Sequence, residues 1–433
     1  MRPEGFFLSH LDKNIEALIG NLLGNEAFSY DPKRLKKHYT KYKNAFESKN
    51  IPIITIGGTN GKGEVSLIVE DILLKNDFEV YYWSSPHFLT VRERFSINGR
   101  AICPETFLKL FDEKKQFIED LSYYEYLFLL FLEKVYSDIP KMKKPVLLFE
   151  VGLGGRLDAV NFFNCTYSAI TNIGRDHVDI LGPKLRDILF EKIHISRPQR
   201  PLFTTVTQKG LRKEIKKWCR EHKVPLYDVL DFEEGEVSFK KRNQTLALSI
   251  TERFIRDFGE STEIDKSIGK LWGRPFEVTY EGGQFILVGS HNLDGLRALA
   301  SWINQSFSKI VDGHGECFHE LWVGLSRKDP KEVEHIIKLI QASRCLGRVV
   351  KFFDFNHPRA TSSDFIRGIW KKFDGGEGRP IHIEGNWKKA FLQDFANRKI
   401  LITVSNYFVS DILLNSSLFQ NLTTLRNPCK ANL

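Results

Sequence analysis

The residues best suited to chemistry begin at Gly58-Thr59-Asn60-Gly61-Lys62, between the apolar run 51–56 and a segment whose apolar residues recur at three and four. That order reads as a strand, a tight turn and a helix. Glycines let backbone N–H groups turn towards phosphate oxygens, and a helix N-terminus adds positive potential. Lys62 is then placed to reach the β- and γ-phosphates of a nucleotide. The spacing is shorter than the common G-x-x-x-x-G-K-[ST] pattern, because position 56 is isoleucine. Glu64, two residues past the lysine, is out of keeping with bound phosphate. Its expected escape is an outward turn to solvent; the other is to bind Mg²⁺ itself.

Four later stretches carry polar groups at strand ends. Ser84 and Ser85 precede Pro86, and hydroxyls there suit the oxygen shell of magnesium. Glu150 sits inside the apolar run 145–151, which leads into Gly152-Leu153-Gly154-Gly155. A carboxylate in such a strand needs a partner or a metal. Asp176-His177 ends another strand, and imidazole is a common metal ligand. Lys192 lies fifteen residues beyond His177, in a segment that is helical before Pro198; by itself it reads as a solvated lysine.

These groups need elements to hold them. Strand-like runs at 51–56, 79–85, 145–151, 167–173 and 200–206 alternate with helical patterns at 64–76 and 105–121. Residues 10–49 and 242–259 also read as helical, and 126–136 as a core helix. A second alternating series follows at 284–290, 319–326, 348–355, 379–385 and 399–405. Strands alternating with helices predict α/β architecture with parallel sheets. The polar, glycine-containing stretch 260–275, closed by Pro275, reads as the linker. The expected domains are 1–265 and 273–433, with ligands beyond the carboxyl ends of the strands and in the cleft between domains.

Composition is that of a soluble globular chain of 433 residues with net charge +9, which favours anionic partners. Without a zinc knuckle or basic heptad region, nucleic acid is not the expected partner. The six cysteines form no C-x-x-C pair, which fits a reducing cytosol. No signal-peptide core and no membrane-length apolar run is present.

The order of motifs is more telling than any one of them. Strand–GTNGKG–helix, then S-P-H (85–87), E-V-G-L-G-G-R-L-D-A (150–159), N-I-G-R-D-H (172–177) and E-K (191–192) resembles the folylpolyglutamate synthase/dihydrofolate synthase family of the Mur ligase superfamily. The likeness is dense over 50–200 and thinner but collinear afterwards, through SYYEY (122–126), NQTLAL (243–248), GRPFEV (273–278), GSHNLDGLRAL (289–299), GLSRKD (324–329), HPRA (357–360) and SNYFVSD (405–411). It implies an N-terminal ATPase domain of phosphate-loop type with a mostly parallel sheet, and a smaller Rossmann-like α/β domain at the C-terminus.

The resemblance also implies roles. Gly58, Thr59, Asn60, Gly61, Lys62 and Gly63 would cradle ATP, and Asn243 and Arg274 would hold the nucleotide. Ser85, Glu150 and His177 match the family's magnesium ligands. Lys192 matches a lysine that the family carbamylates. Tyr123, Glu125, Leu157, Asp158 and Ala159 match the pteroate site. His291 falls near the acyl-transfer centre; Lys62, Lys192 and His291 would be the catalytic set. The implied activity is ATP-dependent addition of L-glutamate to a folate or dihydropteroate carboxylate through an acyl phosphate, with ATP and Mg²⁺ as cofactors, by a cytoplasmic monomer without nucleic-acid or membrane partners. The chain departs from the family at Glu64, where serine is usual, at Val288, where aspartate is usual, at Ile193-His194-Ile195 and at Arg327. Another Mur-type amide ligase, and a degenerate paralogue that binds nucleotide or folate without ligating, are the alternatives.

Overall fold

A computed structural model describes residues 10–23, 31–232, 237–260, 263–269, 276–290, 292–307, 318–326, 330–357, 360–370 and 380–416. By internal contacts the chain divides at residues 271 and 272 into two compact units.

The first unit runs α1 (His10–Leu23), α2 (Pro32–Ser48), β1 (Ile53–Gly57), α3 (Lys62–Lys75), β2 (Glu79–Trp83), β3 (Phe95–Ile97), β4 (Arg100–Ala101), α4 (Pro104–Lys114), α5 (Tyr123–Asp138), β5 (Pro145–Glu150), β6 (Tyr167–Ile170), α6 (Val178–Leu181), α7 (Leu185–Ile193), β7 (Leu202–Thr204), α8 (Lys209–Glu221), β8 (Leu226–Asp228) and α9 (Phe239–Phe258). Its sheet has the order β4-β3-β2-β5-β1-β6-β7-β8, parallel except where β3 pairs with β2 and with β4. β1 lies between β5 and β6, buried along its whole length. That explains its unbroken apolar sequence: a strand covered on both faces has no polar side to show.

Period two divides the strand residues between two cores. Leu147 and Phe149 point into the core that contains α2, α4 and α5, whereas Val146 and Leu148 point into the core under α3 and α9. The first core is aromatic: Phe128 meets Trp83, Tyr39, Phe149 and Phe163 at ring distances of 5.2–5.9 Å. Burying one such ring is worth about 2–3 kcal/mol. The helix starts are fixed locally. Pro32 follows the cap Asp31, whose carboxylate accepts from Lys33 N at 2.9 Å. Ser122 and Glu125 form a reciprocal capping box on α5.

Helix α4 ends at Lys114 and gives way to a 3₁₀ turn, Lys115–Phe117, rather than running on to 121. Residues 263–269 of the stretch read as a linker lie along α3: Lys75 Nζ donates to Ser267 O at 2.7 Å, and Gly269 N to Asp71 Oδ2 at 2.8 Å. The polarity that suggested a tether serves to bind the end of that helix.

The second unit runs β9 (Phe276–Tyr280), β10 (Gly283–Val288), α10 (Leu293–Phe307), β11 (Glu320–Gly324), α11 (Pro330–Ala342), β12 (Val349–Asp354), α12 (Ser363–Trp370), β13 (Ile381–Asn386), β14 (Lys399–Val404) and α13 (Asn406–Asn415). Its sheet order is β13-β12-β11-β14-β10-β9, parallel except for the β9–β10 hairpin. One face carries aliphatic residues of α10, α11 and α12. The other carries Phe285, Trp322, Phe353, Phe391 and Phe395 in mutual edge and stacked contacts. Buried Glu320 is compensated there by Trp322 Nε1 at 2.7 Å, Lys351 Nζ at 2.9 Å and Arg398 Nη1 at 2.9 Å.

Candidate active site

The register of the first sheet collects the motifs. Ile56 of β1 pairs with Glu150 of β5 and with Ala169 of β6, and Trp83 of β2 pairs with Phe149. The carboxyl ends of four parallel strands therefore lie side by side. Each releases a chemistry-bearing segment at the same edge: 58–61 from β1, 84–94 from β2, 151–159 from β5 and 171–177 from β6. This edge is where open α/β sheets bind ligands.

The loop after β1 is shaped by two glycines at positive φ, Gly58 at +141° and Gly61 at +85°. A Cβ on Gly58 would stand 1.9 Å from Thr171 Oγ1. The segment after β6 braces the loop: Thr59 N donates to Asn172 O at 3.0 Å, Asn60 N to Asn172 Oδ1 at 2.8 Å, and Thr171 Oγ1 to Asn60 O at 2.6 Å. Gly61 caps α3, so the start of that helix faces the loop. Lys62 folds back, its Nζ 3.1 Å from both Gly58 O and Thr59 O.

Lys192 is buried, and its Nζ donates to the same Gly58 carbonyl at 3.0 Å. Burial, and then the charge of Lys62, push its pKa down from 10.5 to about 7. Read in isolation it was a solvated residue; the fold places it under the phosphate loop. α7 is held there by the glycine-rich segment. Arg156 N donates to Glu191 O at 2.7 Å, and Arg156 Nη2 to Glu191 Oε1 at 2.9 Å. A Cβ on Gly155 would stand 2.9 Å from Glu191 O, so a side chain there would part the two segments.

Ser85 and Glu150 are both buried at the sheet edge. Glu150 Oε2 accepts from Tyr82 Oη at 2.9 Å. His177 differs: its side chain is 45 % exposed, at φ +48° before the short α6, with Asp176 3.9 Å away. Among the described residues no group of three His, Cys, Asp or Glu gathers at metal-binding distance. A hydroxyl, a carboxylate and one imidazole are donors that fit a hard divalent ion keeping several waters.

The residues matched to a pteroate site divide. Tyr123 is half-buried, with the Arg94 guanidinium 5.4 Å from its ring centre. Leu157 is half-buried and Ala159 buried. Glu125 is occupied by structure: Oε2 accepts from Ser122 N at 2.8 Å and Ser122 Oγ at 2.7 Å, and Arg34 pairs with it at 2.8 Å. Asp158 likewise folds its own loop, accepting from Gly152 N at 2.9 Å, Leu153 N at 3.0 Å and Val160 N at 3.0 Å. Burial raises its pKa to about 6, against the pull of those amides.

Asn243 is buried beside Gly61, and its Nδ2 donates to Glu64 Oε2 at 2.7 Å. Glu64 thus turns neither to open solvent nor alone towards the loop; it is half-buried on Asn243. Arg274 and His291 lie outside the described residues. The sequence did not single out Tyr82, Asn172 or Tyr124. Tyr124 Oη lies 2.9 Å from Trp83 Nε1 and 3.3 Å from Asp158 Oδ1, linking β2 to the glycine-rich loop. Its place in SYYEY was visible, its partners were not.

Fold and site together give a two-unit α/β protein with a glycine-rich loop, between a parallel strand and a helix, backed by a buried lysine. No family model matches the chain. Over 415 residues it is 27% identical to a dihydrofolate synthase/folylpolyglutamate synthase of Bacillus subtilis, a match spanning 84% of this chain and 90% of that protein. A Haemophilus influenzae protein of the same name is 40% identical over 153 residues, about a third of either chain (35% and 34%). The fold matches that of a Mycobacterium tuberculosis folylpolyglutamate synthase solved with ADP and AMPPCP, with TM-score 0.72, 19% identity and coverage of 93% and 97%. Along most of its length the chain is thus similar to proteins named dihydrofolate synthase/folylpolyglutamate synthase.

Proposed function

We propose that this chain joins L-glutamate to a carboxylate of a pteroate or folate at the expense of ATP, as a cytoplasmic monomer without nucleic-acid or membrane partners. The observation that carries the reading is the convergence of Lys62 and Lys192 on the Gly58 carbonyl, at the sheet edge that also holds Ser85 and Glu150. No helix among the described residues is long and apolar enough to cross a membrane.

A carboxylate is a poor acyl donor. In the reaction proposed, its oxygen attacks the γ-phosphorus of ATP and ADP leaves. The glutamate amine then attacks the acyl carbon of the acyl phosphate, phosphate leaves, and the amine gives up a proton. Phosphoryl transfer of this kind depends on positioning and on offsetting charge. Lys62 leaves its two loop carbonyls to meet the β- and γ-phosphates, and the N-terminus of α3 adds its potential. Asn243 and Arg274 hold the nucleotide. Ser85, Glu150 and His177 would hold the divalent ion, which when bound neutralises phosphate charge.

Lys192 acts as an anion rather than a cation. A lysine that is half neutral near pH 7 can attack carbon dioxide, forming an N–C bond and releasing a proton to leave a carbamate. The product is an oxygen-bearing anion beside Lys62, where an ammonium would only repel it. Tyr123, Leu157 and Ala159 supply surface for the pterin side of the acceptor, and Glu125 and Asp158 keep that surface folded. His291 serves near the acyl-transfer centre. ADP release measured with each pterin acceptor, with and without L-glutamate, tests the reading. Release that depends on glutamate supports it; the same release without glutamate makes the chain an ATPase or a binder.

A further inference from the structure

Glu64 is the residue of the phosphate loop region that the chemistry above leaves unused. It lies in the first turn of α3, where a carboxylate is favoured by the helix dipole. Its partner Asn243 comes from α9, 179 positions later in the chain, and is 1 % exposed. The amide of Asn243 rests on the turn at Gly61: a Cβ there would stand 2.7 Å from Nδ2 and 2.8 Å from Oδ1. Only the glycine's missing side chain lets the amide come so close to the loop.

An asparagine amide is ambivalent, since a half-turn exchanges its donor and acceptor at little steric cost. A carboxylate ends that ambivalence, because it accepts and never donates. The atom facing Glu64 must be the nitrogen, and the oxygen must face away from it. We infer that Glu64 is a positioning residue that locks the Asn243 amide, so that its oxygen is offered in one fixed place as an acceptor to the nucleotide base. Such a site prefers a base with an exocyclic amino group to one with a carbonyl at the same position. The inference rests on the reading above that the nucleotide lies on this loop against Asn243.

The test is calorimetric titration of the whole protein with Mg-ATP and with Mg-inosine triphosphate, for the parent, Glu64→Gln and Glu64→Ala, with a melting curve for each. Glutamine accepts or donates, so Glu64→Gln keeps a contact to Asn243 but permits both amide orientations. The expected result is a parent that prefers ATP. In Glu64→Gln that preference falls by about three- to tenfold, the worth of one neutral hydrogen bond, while the melting temperature holds. Glu64→Ala loses at least as much preference. A merely structural role would lower melting temperature and weaken both nucleotides alike. An unchanged ATP preference in both variants, with ATP still bound, overturns the inference and leaves the proposed function standing. An equal loss for both nucleotides that vanishes when Mg²⁺ is omitted makes Glu64 a metal ligand and also overturns it. A parent that binds no ATP overturns both readings together.

Discussion

Replacing Lys192 by methionine separates the lysine's two effects, a burden on stability and a benefit to chemistry. Lys192 is 5 % exposed, and its pKa falls from 10.5 to about 7 through burial and the neighbouring Lys62. That difference raises the neutral-to-charged ratio of the amine about three-thousandfold over an ordinary lysine and corresponds to an upper bound of about 5 kcal/mol. The sign follows from proton counting. Between pH 7 and 10.5 the unfolded chain holds a proton on this lysine that the folded chain lacks, so stability rises with pH across that window. Below pH 7 the folded state carries the full cost of the buried charge; above 10.5 it carries none. Lys192→Met removes the cost and leaves Gly58 O with its bond from Lys62. Urea unfolding in carbon-dioxide-free buffer at pH 6, 8 and 10 reads the difference. The variant is expected to be more stable than the parent at pH 6, by up to about 5 kcal/mol, with the advantage shrinking as pH rises. An advantage that does not change between pH 6 and pH 10 refutes the depressed pKa. On the chemical side, Lys192→Ala is expected to abolish ligation while remaining folded, and to lose any carbamate signal seen with ¹³C-bicarbonate. Undiminished turnover in Lys192→Ala removes this residue from the mechanism.

Gly58→Ala puts a Cβ 1.9 Å from Thr171 Oγ1 at φ +141°, and strain of about 1–3 kcal/mol should reshape the loop and cut Mg-ATP affinity at least tenfold by calorimetry; parent-like affinity would contradict the loop geometry. Tyr82→Phe takes the hydroxyl from Glu150, and the Mg²⁺ concentration for half-maximal activity should rise about tenfold with little change in unfolding free energy; an unchanged requirement separates Tyr82 from the metal site. Asp12→Ala takes the carboxylate from Arg92, whose Nε is 2.6 Å from Asp12 Oδ1 with both side chains almost wholly buried and whose Nη1 keeps its bond to Ile102 O, so urea unfolding should show a loss of about 3–5 kcal/mol; a loss below 1 kcal/mol would mean that α1 does not pack here as described.

What could be read along the chain was whatever depends on near neighbours. β1, the loop and α3 follow from an apolar run, a cluster of glycines and a helical period within 25 residues, and the structure sets them at Ile53–Gly57 and Lys62–Lys75. The central strands were legible because burial on both faces leaves an unbroken apolar run. The β3–β4 hairpin and β8 were not read, whereas the equally short β7 was, because it lies in the longer strand-like run 200–206. Glu125 carried a legible signal that went unused: Ser122 three residues before it, at a helix start, is a capping box. Contacts between distant residues left no trace. Glu64 and Asn243 meet only because α3 and α9 pack together, and Lys192 is buried only because α7 passes beneath the loop.

Glutamate ligation is tested most directly by the mass of the product. The protein is incubated with ATP, Mg²⁺ and L-glutamate, and with dihydropteroate, dihydrofolate or a tetrahydrofolate in turn. At least one acceptor is expected to gain the mass of a glutamyl residue, and the gain is expected to require ATP. No gain with any of the three acceptors, from a protein that is folded and binds ATP, would contradict it.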